Sequence, residues 1–295
     1  MTSATPARPT APAERRHRRG DKGSRSIVIT PPGRFRLPSI THLWEAREVF
    51  TSFGRRDITL RYRQTALGVI WVVLQPLLAA GVFTLVFGKI ARLPSGGVPY
   101  FVFSFAGMVA WNMISGIIIR AAPALVTYQA LVSRVFFPRI MVPLSTICSA
   151  LVDFAVASCM LIVLLVVYRV NPGWPIALTP IWVISALLFS GGIGTVCSAL
   201  MVRFRDIQYI VPVAVQLLLF ATPIAYSVGA VPQKYRFLFD INPVAWIVQD
   251  FHWSLLGSSR PPTWQIAGSV GVGIVIFFVG AVIFEQMERG FADFI

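Results

Sequence analysis

The chain has 295 residues, 56% apolar and only 13% charged, with a formal net charge of +14. Such an apolar excess is more than a soluble domain of this size needs to fill a core, which points away from a water-soluble enzyme or binding module. The three cysteines, Cys148, Cys159 and Cys197, lie in apolar runs without CxxC spacing, so neither a disulfide framework nor a thiolate zinc site is indicated.

Residues 1–40 are rich in Pro, Arg, Ser, Thr and Ala and poor in large apolar side chains. They cannot bury enough surface to offset ordering entropy, and they read as a disordered basic cytoplasmic tail ahead of a membrane domain over 41–295. The chain stays polar until about residue 66, too late for a cleaved leader, so the first apolar run is a permanent anchor. Before it, Thr41–Arg56 predicts an amphipathic helix. Thr41 is its N-cap, Leu43, Ala46, Phe50 and Phe53 form the apolar stripe beside Trp44, Glu48 lies on another face, and Arg55 and Arg56 close it. Such a helix lies in the cytoplasmic membrane interface.

Six runs then reach or approach the roughly 20 residues that a membrane-crossing helix needs: Ala66–Phe87, Val98–Ile119, Met141–Tyr168, Ala177–Val202, Tyr209–Val228 and Ile266–Phe284. With both termini in the cytoplasm, 20 Arg and Lys residues fall inside and 6 outside, which orients the chain as a multi-pass protein of the cytoplasmic (inner) membrane. This topological role accounts for the basicity and removes the need for a nucleic-acid partner. The Arg120–Arg139 connection predicts a short helix on the inner surface, ended by Pro138. Outside, Phe237–Leu256 is apolar but interrupted by Asp240, Asn242, Pro243, Asp250 and His252, and predicts two short re-entrant helices joined near Asn242–Pro243. The fold expected is all-α and integral to the membrane, with six transmembrane helices, an N-terminal interface helix and outer re-entrant helices. Small-residue stripes at Ser190–Gly194–Ser198 and Ala267–Gly271 signal close helix packing.

No phosphate loop, nucleophile elbow or HExxH motif is present, so no catalytic residues, metal ligands or resident cofactor are expected. Asp153 is the clear charge inside a run, and should face the bundle interior or water, or bond a neighbouring Ser or Thr.

Five short motifs occur in order: Leu60–Gly68 leading to Trp71 and Gln75-Pro76, Leu131–Arg139, Val202–Ile207, Thr222–Tyr226, and Asn242-Pro243. Together they resemble the ABC transmembrane type-2 exporter permeases, most nearly those exporting lipid-linked polysaccharides such as O-antigen, teichoic acid or galactan. The resemblance spans about residues 41–295 and implies a homodimer served by two copies of a separate cytoplasmic ATPase, which would hold the ATP and Mg. It implies ATPase coupling through Glu48, Arg55, Arg203, Arg205 and Asp206. A cytoplasmic gate would lie at Tyr128, Arg134, Phe137 and Pro138, and an outer gate at Asn242, Pro243 and Trp246. For the substrate path, rings that can stack on sugars are Trp71, Trp111, Phe220 and Tyr226. An exporter of small hydrophobic drugs or lipids, a membrane glycosyltransferase, and a secondary transporter or channel are the rival readings.

Overall fold

The structure, a computed structural model, describes residues 47–63, 68–132, 137–288 and 290–291. The expected tail, the Thr41 cap with Leu43, Trp44 and Ala46, and Arg134 lie outside the described residues. Every regular element among the described residues is helical: α1 (Arg47–Arg63), α2 (Gly68–Phe83, running on as a π-helix over Thr84–Ile90), α3 (Tyr100–Thr127), α4 (Gln129–Val132) and α5 (Met141–Val167). A 3-10 turn (Trp174–Leu178) then leads into α6 (Thr179–Arg203), followed by α7 (Ile207–Phe220), α8 (Phe237–Ile241), α9 (Pro243–Leu256) and α10 (Thr263–Glu288).

Five of these segments are long and apolar enough to cross a membrane: Gly68–Ile90, Tyr100–Thr127, Met141–Val167, Trp174–Arg203 and Thr263–Glu288. They coincide with five of the six expected runs. The remaining run, expected over Tyr209–Val228, is helical only to Phe220. Pro223 disfavours helical geometry at the residue before it, and side chains cap the carbonyls left open at the helix end. Thr222 Oγ1 donates to the Leu218 carbonyl at 2.7 Å, and Asn242 Nδ2 donates to that of Ala221 at 3.1 Å.

A second departure concerns Arg120, expected in a connection. Ala121, Ala122, Ala124 and Leu125 are all buried, so burial continues past Arg120 and carries α3 on to Thr127, with Pro123 inside it. Of the surface helix expected there, the described residues show the single turn α4, and 133–136 lie outside them.

Helix α3 is the spine of the core, with Phe105, Ile114, Ile117 and Leu125 fully enclosed. It lies against α5 and α6, and α6 packs in turn on α10. The Ser190–Gly194–Ser198 stripe faces inward: both serines are fully buried and Gly194 meets Ala121 of α3. On the other side of α6, a Cβ on Gly192 would lie 2.5 Å from the Ile276 carbonyl oxygen and 2.8 Å from Phe277 Cα. Backbone cannot step aside there, so the two helices meet main chain to main chain, as closely packed membrane helices do. Gly192→Val should therefore cost on the order of 1–3 kcal/mol, read as a lower unfolding midpoint in detergent. Gly271→Val should leave that midpoint unchanged, because a Cβ at Gly271 meets no described atom within 4 Å.

Candidate functional site

The described part of α1 begins with seven residues, Arg47 to Phe53, that turn one apolar edge toward the bundle. Phe53 is only 5% exposed and sits in a second core with Leu125, Ile140, Val142, Ala199 and Phe284. Its ring lies edge-on to Tyr128 at 5.1 Å and tilted against Phe137 at 5.7 Å. Next to it, Gly54 lets α1 settle on α5, since a Cβ there would fall 2.7 Å from Cys148 Sγ. Polar contacts secure the same joint. Tyr128 donates its hydroxyl to Asp57 Oδ1 at 2.7 Å, and the Arg56 guanidinium lies 5.1 Å from the Tyr128 ring centroid. Burial, with the Asp57 bond adding to it, pushes the Tyr128 hydroxyl up to about 12, so it remains a donor at physiological pH. The helix expected to receive the ATPase is thus joined directly to two residues expected to form the cytoplasmic gate.

At the far end of α1 lies Asp153, with partners that were not anticipated. Instead of a neighbouring Ser or Thr, it takes the Tyr62 hydroxyl on Oδ1, and on Oδ2 both Arg61 Nη1 at 2.9 Å and Arg120 Nη1 at 3.0 Å. Three elements, α1, α3 and α5, meet on one carboxylate. Burial raises the Tyr62 hydroxyl to about 12, reinforced by its bond to Asp153, which keeps it the donor. The guanidinium of Arg120 folds back over Gly116, one turn earlier, where a Cβ would lie 3.1 Å from Nη2.

A second joint gathers the residues expected at the outer gate. Asn242 is the N-cap of α9: its Oδ1 accepts from the Val244 amide at 3.0 Å, while Nδ2 reaches Ala221 O at 3.1 Å and Thr222 Oγ1 at 3.4 Å. Pro243 takes the first helical position, where its missing N–H costs nothing. Trp246 Nε1 donates to Phe239 O at 3.0 Å and its ring stands edge-on to Trp264 at 5.4 Å. Tyr226 packs on Phe239 and Phe87 and donates its hydroxyl to Phe220 O at 3.1 Å. The Tyr100 hydroxyl holds the Ala225 carbonyl, which ties the start of α3 to the turn after α7.

The other expected residues divide by exposure. Glu48, Arg55, Arg203, Arg205 and Asp206 are all exposed, the last three in the Phe204–Asp206 link between α6 and α7 and at its edge. Pro138 accepts from the Met141 amide at 3.0 Å and so starts α5. Trp71 and Phe220 are 51% and 61% exposed, whereas Trp111 is 5% exposed and belongs to the core. Asp240, Asp250 and His252 do not converge. Asp240 accepts from Gln265, Asp250 bonds Ser269, and His252 stacks on Phe103 at 4.1 Å. Phe53, Tyr62, Arg61 and Arg120 are site residues not anticipated from sequence. Arg120 was detectable there, because the apolar run resumes immediately after it.

Five helices long and apolar enough to cross a membrane, packed against one another, define a multi-pass membrane protein. The chain belongs to the ABC-2 type transporter family, whose model matches residues 48–256. It is similar to the O-antigen export system permease protein RfbA of Myxococcus xanthus, 26% identical over 86% of this chain and 98% of that protein. The Klebsiella pneumoniae protein of the same name is also 26% identical, over 86% of this chain and 96% of its own length. The polysialic acid transport protein KpsM of Escherichia coli is 24% identical over 66% of this chain and 76% of that protein.

Proposed function

We propose that this chain is the permease subunit of an ATP-driven exporter that moves a lipid-linked polysaccharide of the O-antigen or galactan type across the cytoplasmic membrane. The observation that carries this reading is the Phe53–Tyr128–Phe137 joint, which links an exposed helix to the end of the core helix α3 in a chain whose relatives are named polysaccharide export permeases. In this reading α1 lies in the inner membrane interface and both termini are cytoplasmic. Two copies pair, and each engages a cytoplasmic ATPase that supplies ATP and Mg. The ATPase docks on the exposed Glu48, Arg55, Arg203, Arg205 and Asp206.

Helix α7 is then the sixth crossing element, fifth in chain order. Its 14 residues rise only about 21 Å, short of the roughly 30 Å hydrocarbon core. The buried turn Thr222–Ala225 and the re-entrant pair α8–α9 complete that crossing. The exposed faces of α2 and α7, with Trp71 and Phe220, border the glycan path between the two copies, Tyr226 and Trp246 stand at its outer end, and Trp111 supports it from the core. Motion of the ATPase shifts α1, and the shift passes through Phe53 to Tyr128 and Phe137 at the inner gate.

The deciding experiment labels cellular glycans and depletes this chain. A lipid-linked polymer should build up on the cytoplasmic side of the membrane. Unchanged glycan pools together with new sensitivity to small hydrophobic toxins would replace this reading with the drug-exporter one.

A further inference from the structure

Helix α9 is seated on α10 by one face. Trp246 and Asp250, one turn apart, both lie on it: a Cβ on Gly268 would fall 3.0 Å from Trp246 Cζ3, and Asp250 Oδ2 is 2.7 Å from Ser269 Oγ. From α6, Ser185 donates its hydroxyl to the Ser269 carbonyl at 2.7 Å. Asp250, Ser269 and Ser185 are all buried, Asp250 completely, so three helices close over one carboxyl group.

The charge on that group follows from counting protons. Ser269 Oγ also lies 3.0 Å from the Ile266 carbonyl, one turn back in its own helix. A hydroxyl has a single proton to give, so Ser269 cannot serve both a carboxylate and that carbonyl. The carbonyl has none, and the second proton therefore belongs to Asp250. Its Oδ1 is buried without a hydrogen-bond partner, and no ion pair reaches it among the described residues. An isolated carboxylate in such a place takes up a proton rather than remain charged.

No countercharge faces the group from the elements packed against α9, which are α3, α6, α8, α10 and the 3-10 turn. On α3, Tyr100 holds the Ala225 carbonyl and Arg120 is at Asp153. On α6, Cys197 lies about 18 Å along the helix from Ser185, and Arg203 further still; on α10, Glu285 and Glu288 lie about 24 Å or more from Ser269. Asp240 of α8 is taken by Gln265, and the 3-10 turn carries no titratable group. On α9 itself His252 turns to Phe103 of α3, and beyond its end Arg260 lies over the Trp253 ring at 5.7 Å.

We propose that Asp250 is a proton-operated catch: as a neutral acid it donates to Ser269 and seats α9 on α10, and loss of that proton to water frees α9 together with Trp246. Ser269 in turn donates to Ile266, so the seated state uses every proton available. A carboxyl that meets water at neutral pH is ionised, so the seated form holds one proton more than the freed form. Each rise of one pH unit then favours the freed form by up to about tenfold, and acid holds the catch shut. The inference goes beyond the export reading and does not depend on what the chain exports.

The test uses the full chain in nanodiscs. An infrared difference spectrum between the wild type and Asp250→Asn at neutral pH should contain the carbonyl band of one protonated carboxylic acid, which the variant lacks. Amide hydrogen exchange over Pro243–Leu256 supplies the second readout. Taken as the ratio of wild type to Asp250→Asn at each pH, it cancels the intrinsic pH dependence of exchange and should climb with pH, by up to about tenfold per unit. A missing acid band would overturn the proposal, and so would a ratio that stays flat or falls, since a buried acid that operates nothing is no catch. Where Asp250→Asn does not fold, Ser269→Ala serves instead. Its acid band should persist but move, because the hydrogen bond is lost, and a band in the unchanged position would overturn the assignment.

Discussion

Phe53→Ala is expected to cut glycan export per assembled transporter by at least tenfold while the permease still inserts and still binds its ATPase. Truncating an enclosed phenylalanine costs roughly 3–5 kcal/mol, and about 1.4 kcal/mol is already tenfold in an equilibrium. The loss falls on the contact between α1 and the C-terminal end of α3, because the Phe53 ring meets Tyr128 and Phe137 there. Docking should survive, since Glu48 and Arg55 are exposed on α1 and make no use of that ring. Tyr128→Phe gives the graded companion. It keeps the ring and removes only the bond to Asp57, a loss of about 1–3 kcal/mol, and should slow export less. Export in inverted vesicles, normalised to the amount of assembled complex, is the measurement. Unchanged export by Phe53→Ala at matched levels would show that force does not travel through this joint.

Asn242→Ala should have the second large effect, at the opposite end of the bundle. One side chain there both caps α9 and holds the open carbonyl at the end of α7. Losing the cap costs about 0.5–2 kcal/mol, and releasing the α7 carbonyl adds about 1 kcal/mol. The start of α9 should separate from the Ala221–Thr222 turn. Cysteines placed in the Val228–Ala230 turn should then react faster with a membrane-impermeant reagent added outside, and export should slow without loss of the ATPase. Asn242→Asp keeps the cap oxygen but loses the donor to Ala221, so it should fall between the wild type and Asn242→Ala. Equal labelling rates in all three proteins would count against a gate at this joint.

What could be read in the sequence follows from which forces act locally. Length and apolarity are properties of a segment alone, and Met141–Val167 and Thr263–Glu288 fall close to their expected limits for that reason. The break at Asn242–Pro243 was legible because proline and a capping asparagine act on their own backbone. The end of α7 was not, because apolarity continues through Ile224 and Ala225 after the helix has stopped, and there it is tertiary burial that those residues satisfy. Arg120 was misplaced for the converse reason. A charge normally closes an apolar run, but Asp153, 33 positions further on, neutralises it within the fold. The grouping of Tyr128 with Phe53 was likewise hidden, since their helical patterns do not state which helices meet.

The seat at Gly54 also has a mechanical consequence. Helix α1 packs along α5 and is seated closely against it at Gly54, with Glu48 on one side of that seat and Tyr62 on the other. At 1.5 Å per residue the arms on either side measure about 9 Å and about 12 Å. A tilt of about 10° about that seat would carry Tyr62 through about 2 Å, beyond the range in which a hydrogen bond survives. A modest push on the short arm is thus enough to lift the long arm off Asp153. In that geometry the hold on the carboxylate works as a catch that releases after a set stroke, and it does not yield in proportion to the load.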